Sequence, residues 1–127
     1  MKHYYYLHTN GDLIHKSAIV VDSDPNYFDS SFVKKFWSIE TEDRQTLYIF
    51  LIDAAAMGAN PERVDQLKKL WGITDEDTLI FARRTGFRVY EEMGGRWCAE
   101  TGDPKKSGFG STPWDAMVEL CREIKNE

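Results

Sequence analysis

Two glycines, two serines, a threonine and a proline stand together in SGFGSTPWDAM (107–117), just ahead of an apolar helical pattern. Glycine-rich backbone at a helix start offers free amides and the positive end of the helix dipole, the chemistry that cradles a phosphate. Several features oppose that chemistry here. The spacing is not that of a nucleotide-binding loop, no lysine follows the second glycine, and GDPKK separates the segment from the preceding strand pattern. Asp115 would repel an anion at the same helix end, leaving Lys105 and Lys106 as the only basic help. A folding role accounts for the residues better: Thr112 as N-cap, Pro113 at the first helical position, and Asp115 as the acid of a capping box. The loop is expected to start a helix.

Other residues could also do chemistry. A two-residue turn at Asn10-Gly11 would pair His8 with Leu13 and Tyr6 with His15. His8 and His15 then become diagonal neighbours on one face, near Tyr4, Tyr6 and Leu13. Two imidazoles could hold a metal, but zinc needs a third or fourth ligand and none is in view, so no cofactor is expected. Asp53 is the only charged residue between Arg44 and Glu62, on a helical stretch otherwise fit for burial. A desolvated carboxylate there would have a raised pKa and could act as a general acid or base. Against this, Thr46, Asp53 and Asn60 recur at heptad spacing, which makes a thin solvent strip. Cys98 and Cys121 lack an adjacent base and read as small buried hydrophobes. TDEDT (74–78) reads as a solvated helix start, since it lacks the ligand pattern of a calcium loop.

Residues 83–106 gather six basic side chains, Arg83, Arg84, Arg88, Arg96, Lys105 and Lys106, against four acidic ones. Arg83, Arg84, Arg88, Lys105 and Lys106 are candidates for holding a nucleic acid or another anion, although an excess of two charges is small for that task. Tyr90 and Trp97 could stack bases if they share a strand face, or could be core.

The elements that must position these groups are punctuated clearly. Aromatic residues flank Asn10-Gly11 in YYYLHTNGDLIHK, a hairpin signal, and AIVV (18–21) can prolong its second strand before DSDPN breaks it. Phe28, Phe32, Val33 and Phe36 fall at helical spacing and predict a short helix over 28–37. Thr41 can cap a helix running to about Met57 and ending at Gly58; it is apolar nearly all round, as a central helix would be. Asn60-Pro61 opens a helix with Val64, Leu67, Leu70 and Trp71 as its stripe, stopped by Gly72. Thr74 with Asp77 opens another, ended by Gly86. FRVYEEMGGRWCAET (87–101) is a second hairpin. A two-residue turn at Gly94-Gly95 places Tyr90, Trp97 and Ala99 on one face and Phe87, Val89, Met93 and Cys98 on the other. Sheets that are apolar on both faces need cover on both sides.

These signals predict an α+β fold, a mainly antiparallel sheet built from two β-hairpins with about five helices on both faces, sandwich-like. At 127 residues one domain is expected, with a subdomain boundary near residue 86 separating a hairpin-plus-helices unit from a ββα unit. The net charge of −5 argues against a wholly DNA-binding surface. No secretory signal precedes the cysteines and the longest apolar run, LYIFLI, is too short to span a bilayer, so a cytoplasmic protein without a membrane partner is expected.

RVYEEMGGRWCAETGDPKKSGFGSTPWDAMVELCREI resembles the phage ABA-sandwich domain family, small phage and prophage proteins of unknown role. The shared pattern is a strand, a tight turn, W-C-A-E, a glycine-bearing loop, then T-P opening an amphipathic helix. A similar layout occurs in antitoxins of the HicB type, and the first part of the chain is similar to uncharacterised bacterial proteins that begin with an aromatic-rich hairpin. The resemblance spans roughly the last third of the chain. It implies a sandwich fold and a mobile-element origin, and brings no catalytic residues. The expected function is a non-enzymatic interaction protein whose partner is another protein or itself. A weak nucleic-acid or anion binder comes second, and a small hydrolase built on Asp53 or the histidines last.

Overall fold

The computed structural model describes residues 3–17, 33–39, 43–102 and 105–125. Strands β1 (His3–His8) and β2 (Leu13–Ser17) pair antiparallel around Asn10-Gly11. Each glycine turn is one residue longer than expected. The His8 amide donates to the Asp12 carbonyl (2.9 Å), which encloses Thr9, Asn10 and Gly11. A type I′ turn needs positive φ at Asn10 as well as Gly11. Among the described residues only glycines take positive φ, so Gly11, at 97°, does it alone. In the second hairpin the Glu92 amide donates to the Arg96 carbonyl (2.6 Å), enclosing Met93, Gly94 and Gly95.

A slip of one residue exchanges the two faces of a strand. Tyr5, not Tyr6, therefore opposes His15, and Leu7 opposes Leu13. Strand β3 (Val33–Ile39) lies against the other edge of β1 and gives the order β2-β1-β3. This corrects the helix expected over 28–37. Val33, Phe36, Trp37 and Ile39 are strand formers, and the free edge of β1 offers hydrogen bonds that outweigh the local helical spacing. Residues 28–32 of that expectation, the extension at 18–21 and the cap at Thr41 lie outside the described residues.

Four helices follow the expected punctuation. Helix α1 (Arg44–Ala56) is capped by Asp43, whose carboxylate accepts the Thr46 amide, in the role expected of Thr41. Helix α2 (Pro61–Trp71) opens on Asn60, whose side chain accepts the Glu62 amide, and closes on left-handed Gly72. Helix α3 (Asp75–Thr85) runs from Thr74 to left-handed Gly86. Helix α4 (Pro113–Lys125) is capped by the Thr112 hydroxyl, which accepts the Asp115 amide. Among the described residues no helix is long and apolar enough to cross a membrane.

Strands β4 (Arg88–Glu91), β5 (Trp97–Glu100) and β6 (Ser107–Gly110) form a second antiparallel sheet in that order. The fold is α+β with antiparallel pairing, and each hairpin has recruited a third strand to make a sheet of its own. Helices α1 and α2 meet the first sheet, and α4 packs on the second. On one side Phe50 of α1 meets the rings of Tyr5 and Trp37, and Trp71 of α2 meets Tyr5 edge-on. On the other side α4 presses on β6. A Cβ on Gly108 would stand 2.2 Å from the Leu120 nitrogen, and one on Gly110 would stand 2.5 Å from the Asp115 Cβ. Alternation along the strand puts both glycines on one face, so SGFG is a strand whose bare face admits a helix backbone. Tyr48 and Trp114 meet edge-on and join α1 to α4, with Tyr48, Leu51, Met117 and Leu120 fully buried in one core that draws residues from both sides of position 86.

An ion pair between the half-exposed Arg44 and the buried Asp77 ties the helix starts together. Asp77, 1% exposed, accepts Arg44 Nε (2.6 Å) and Nη2 (2.8 Å) and the Thr74 amide (2.8 Å), while Arg44 Nη2 also donates to the Gly72 carbonyl. Burial pushes the Asp77 carboxyl up. The hydrogen bonds from Arg44 and Thr74 and the guanidinium charge outweigh that and hold it below its ordinary value.

Candidate interaction face

Val89, Ala99 and Gly108 share the side of the second sheet that meets α4, so Tyr90, Cys98 and Phe109, one residue on in register, share the other. That face is partly open: Phe109 is 42% exposed while Cys98 between its neighbours is buried, and Met93 at the hairpin tip is fully exposed. Here the turn length matters. The expected register put Trp97 beside Tyr90. The observed one sends Trp97 to the helix side opposite Glu91 and leaves Phe109, from a strand read only as loop, in its place.

Glu100 sits at the centre of one end, 4% exposed although it belongs to the outward row. Its carboxylate accepts Tyr90 OH (3.2 Å), Arg88 Nη1 (3.1 Å) and Lys105 Nζ (3.3 Å), with Cys98 Sγ 4.0 Å away. Two cations over one carboxylate leave a unit of positive charge, and both cationic side chains are largely exposed. Hydrogen bonding with Cys98, then burial and the negative charge of its neighbours, pushes the Tyr90 phenol up to about 12. The Arg88 guanidinium lies 5.3 Å from the Tyr90 ring centre. At the other end the Arg96 guanidinium stacks on Phe109 at 4.2 Å while pairing with Glu92 at 2.8 Å. A shallow groove between the tip glycines and Phe109 continues the surface. The sequence carried no signal for a buried Glu100, because the side chains on it come from two strands and a loop.

The candidate anion residues divide. Arg88 and Lys105 converge on Glu100. Arg83 lines a groove with Arg88 and Tyr90 and pairs loosely with Glu76 at 3.4 Å. Arg84 is exposed on α3, and the backbone of Lys106 pins the loop through paired hydrogen bonds with Thr101. The Ser-Thr-Pro corner serves folding: Asp115 accepts the Ser111 hydroxyl (3.1 Å) where a capping box would bring it to the cap amide. One ground for that reading changes, since β6 does run into this corner and the glycines admit α4.

Asp53 is tied on both oxygens, to Trp37 Nε1 (3.1 Å) and Lys125 Nζ (2.5 Å), and so joins β3, α1 and α4. His8 and His15 are not brought together. His8 lies at the first turn, while His15 Nε2 meets His3 Nδ1 at 2.8 Å. Among the described residues no group of three or more His, Cys, Asp or Glu is placed to hold a metal ion. Cys121 lies against the core, where burial pushes its thiol up to about 11. No family model, curated protein or solved structure matches this chain.

Proposed function

We propose that this protein is a non-catalytic binding module of phage or prophage origin, working in the cytoplasm, that docks onto another protein through the open face of its second sheet. The composition of that face carries the reading. Tyr90, Met93, Phe109, Arg88 and Arg96 belong to the residue types enriched where proteins meet. Met93 and Phe109 spend apolar surface on water, which packing of this chain alone does not require. At one end Arg88 and Lys105 present guanidinium and ammonium heads over the buried Glu100, while at the other Arg96 is paired with Glu92. A partner surface with an apolar knob flanked by carboxylates is complementary. The likeness of the C-terminal segment to phage ABA-sandwich proteins supports the origin, and two free thiols suit a reducing compartment.

A second reading uses the same face. Tyr90 and Phe109 flank Cys98 from neighbouring strands, with cations at both ends, an arrangement on which single-stranded bases can stack. Affinity capture followed by reconstitution with each purified captured protein separates the two. A reconstituted complex weakened tenfold or more by Phe109→Asp, about 1.4 kcal/mol, at unchanged melting temperature is the expected result. Salt-sensitive binding of an oligothymidylate without any reconstituted complex would hand the face to nucleic acid. Indifference of every partner to Phe109→Asp would end both readings.

A further inference from the structure

The first sheet and the first two helices border a cleft of about 540 Å³ that the interaction face does not use. We propose that this cleft binds a small organic anion, a carboxylate with an aliphatic or aromatic body, whose head group meets Arg63 and the His3–His15 pair. Its volume falls within the range of about 300–1,000 Å³ usual for small-molecule sites, and its make-up follows their pattern of apolar walls with a few converging polar groups. Ile39, Leu47, Leu67, Leu70 and Trp71 supply the walls. Leu70 belongs to the apolar stripe of α2 yet stands 75% exposed, so its side chain faces solvent at this cleft and not the core.

Among the described residues, the charged and titratable groups lining the cleft are His3, His15, Arg63 and the Tyr5 phenol, with no carboxylate. Arg63 has five N–H donors. Its hydrogen bonds to the Leu13 carbonyl (3.4 Å) and Gln66 Oε1 (3.3 Å) are both long. The His3–His15 hydrogen bond uses one ring N–H, and in either tautomeric arrangement of two neutral rings one further N–H remains for an acceptor. Burial first, then His3 and Arg63, disfavours the charged form of His15. The groups facing its ring are His3 and Tyr5 from β1 and Arg63 from α2. An anion seated among them reverses the repulsion, so binding raises the His15 pKa. A neutral apolar guest would leave Arg63 without a charged partner. A bare inorganic anion would leave the walls wet.

Titration of the isotope-labelled chain followed by NMR tests this, with decanoate, decanol and sulfate as separate ligands. Decanoate is expected to shift the His3 and His15 ring signals and the Trp71 indole signal saturably below millimolar concentration, and to raise the His15 pKa. Arg63→Gln should weaken decanoate at least tenfold while melting at the wild-type temperature. Decanol binding as tightly as decanoate, an unaffected Arg63→Gln protein, or no saturable shift up to millimolar decanoate would each overturn the proposal.

Discussion

Replacing Gly108 by alanine would set a methyl group 2.2 Å from the Leu120 nitrogen, 2.5 Å from the Ala116 oxygen and 2.8 Å from the Glu119 carbonyl carbon. All three are helix backbone, so no side chain can swing aside. Comfortable contacts begin near 3.5 Å, which requires β6 and α4 to separate by roughly 1 Å. Separation also loosens Met117 and Leu120, both fully buried on that helix. Overpacking in a core costs about 1–3 kcal/mol, and rigid partners place this case at the upper end, about 3 kcal/mol. For a domain of this size that lowers the melting temperature by about 10 °C. Urea unfolding followed by tryptophan fluorescence measures it, with two glycines as references. Gly102 has nothing within 4 Å of its would-be Cβ and an ordinary φ, so Gly102→Ala should stay within about 0.5 kcal/mol of wild type. Gly94 has open space but φ of 94°, so Gly94→Ala should cost about 1 kcal/mol of left-handed strain. A Gly108→Ala protein within 0.5 kcal/mol of wild type would refute the packing argument, and one that kept its stability but lost affinity for phosphate would restore the anion loop.

Asp77→Ala removes the acceptor of both Arg44 and the Thr74 amide; because the half-exposed Arg44 head can rehydrate, the expected loss is about 2–3 kcal/mol in urea unfolding. The Asp77 carboxyl is depressed in the folded state, so its stabilisation is present above its unfolded pKa and is lost as pH falls through the lower folded value. Melting temperature against pH should therefore fall less steeply below about pH 4 in the alanine variant. Ultraviolet titration should find the Tyr90 phenol ionising near 12, and Cys98→Ala should bring it down. At pH 8 Cys121 should react with a thiol reagent far more slowly in the native protein than in urea, since its thiol ionises near 11.

Most helix boundaries were legible because caps and stops are local. Asn60-Pro61, Gly72, Thr74, Gly86 and Thr112-Pro113 each act through hydrogen bonds or φ preferences within four residues. The faces of the two hairpins were not. Asn10-Gly11 and Gly94-Gly95 mark a turn, yet both two-residue and three-residue loops satisfy such pairs, and the choice reverses which side chains are buried. A two-residue turn puts Tyr90 and Trp97 on one face, whereas the three-residue turn separates them and sets Phe109 on the face of Tyr90. Asp53 looked exceptional within LYIFLIDAAA, but its partners Trp37 and Lys125 come from distant segments.

By itself the sequence determined where this chain turns and where most of its helices begin and end, because steric limits on φ and capping hydrogen bonds operate between near neighbours. Only the tertiary structure decided that 33–39 is a strand, that SGFG completes a second sheet, that Glu100 and Asp77 are buried, and that His3 in place of His8 meets His15. Each of those outcomes depends on a partner the chain brings from elsewhere. Strand edges, close backbone approach and the desolvation of a charge have no local signature until that partner arrives.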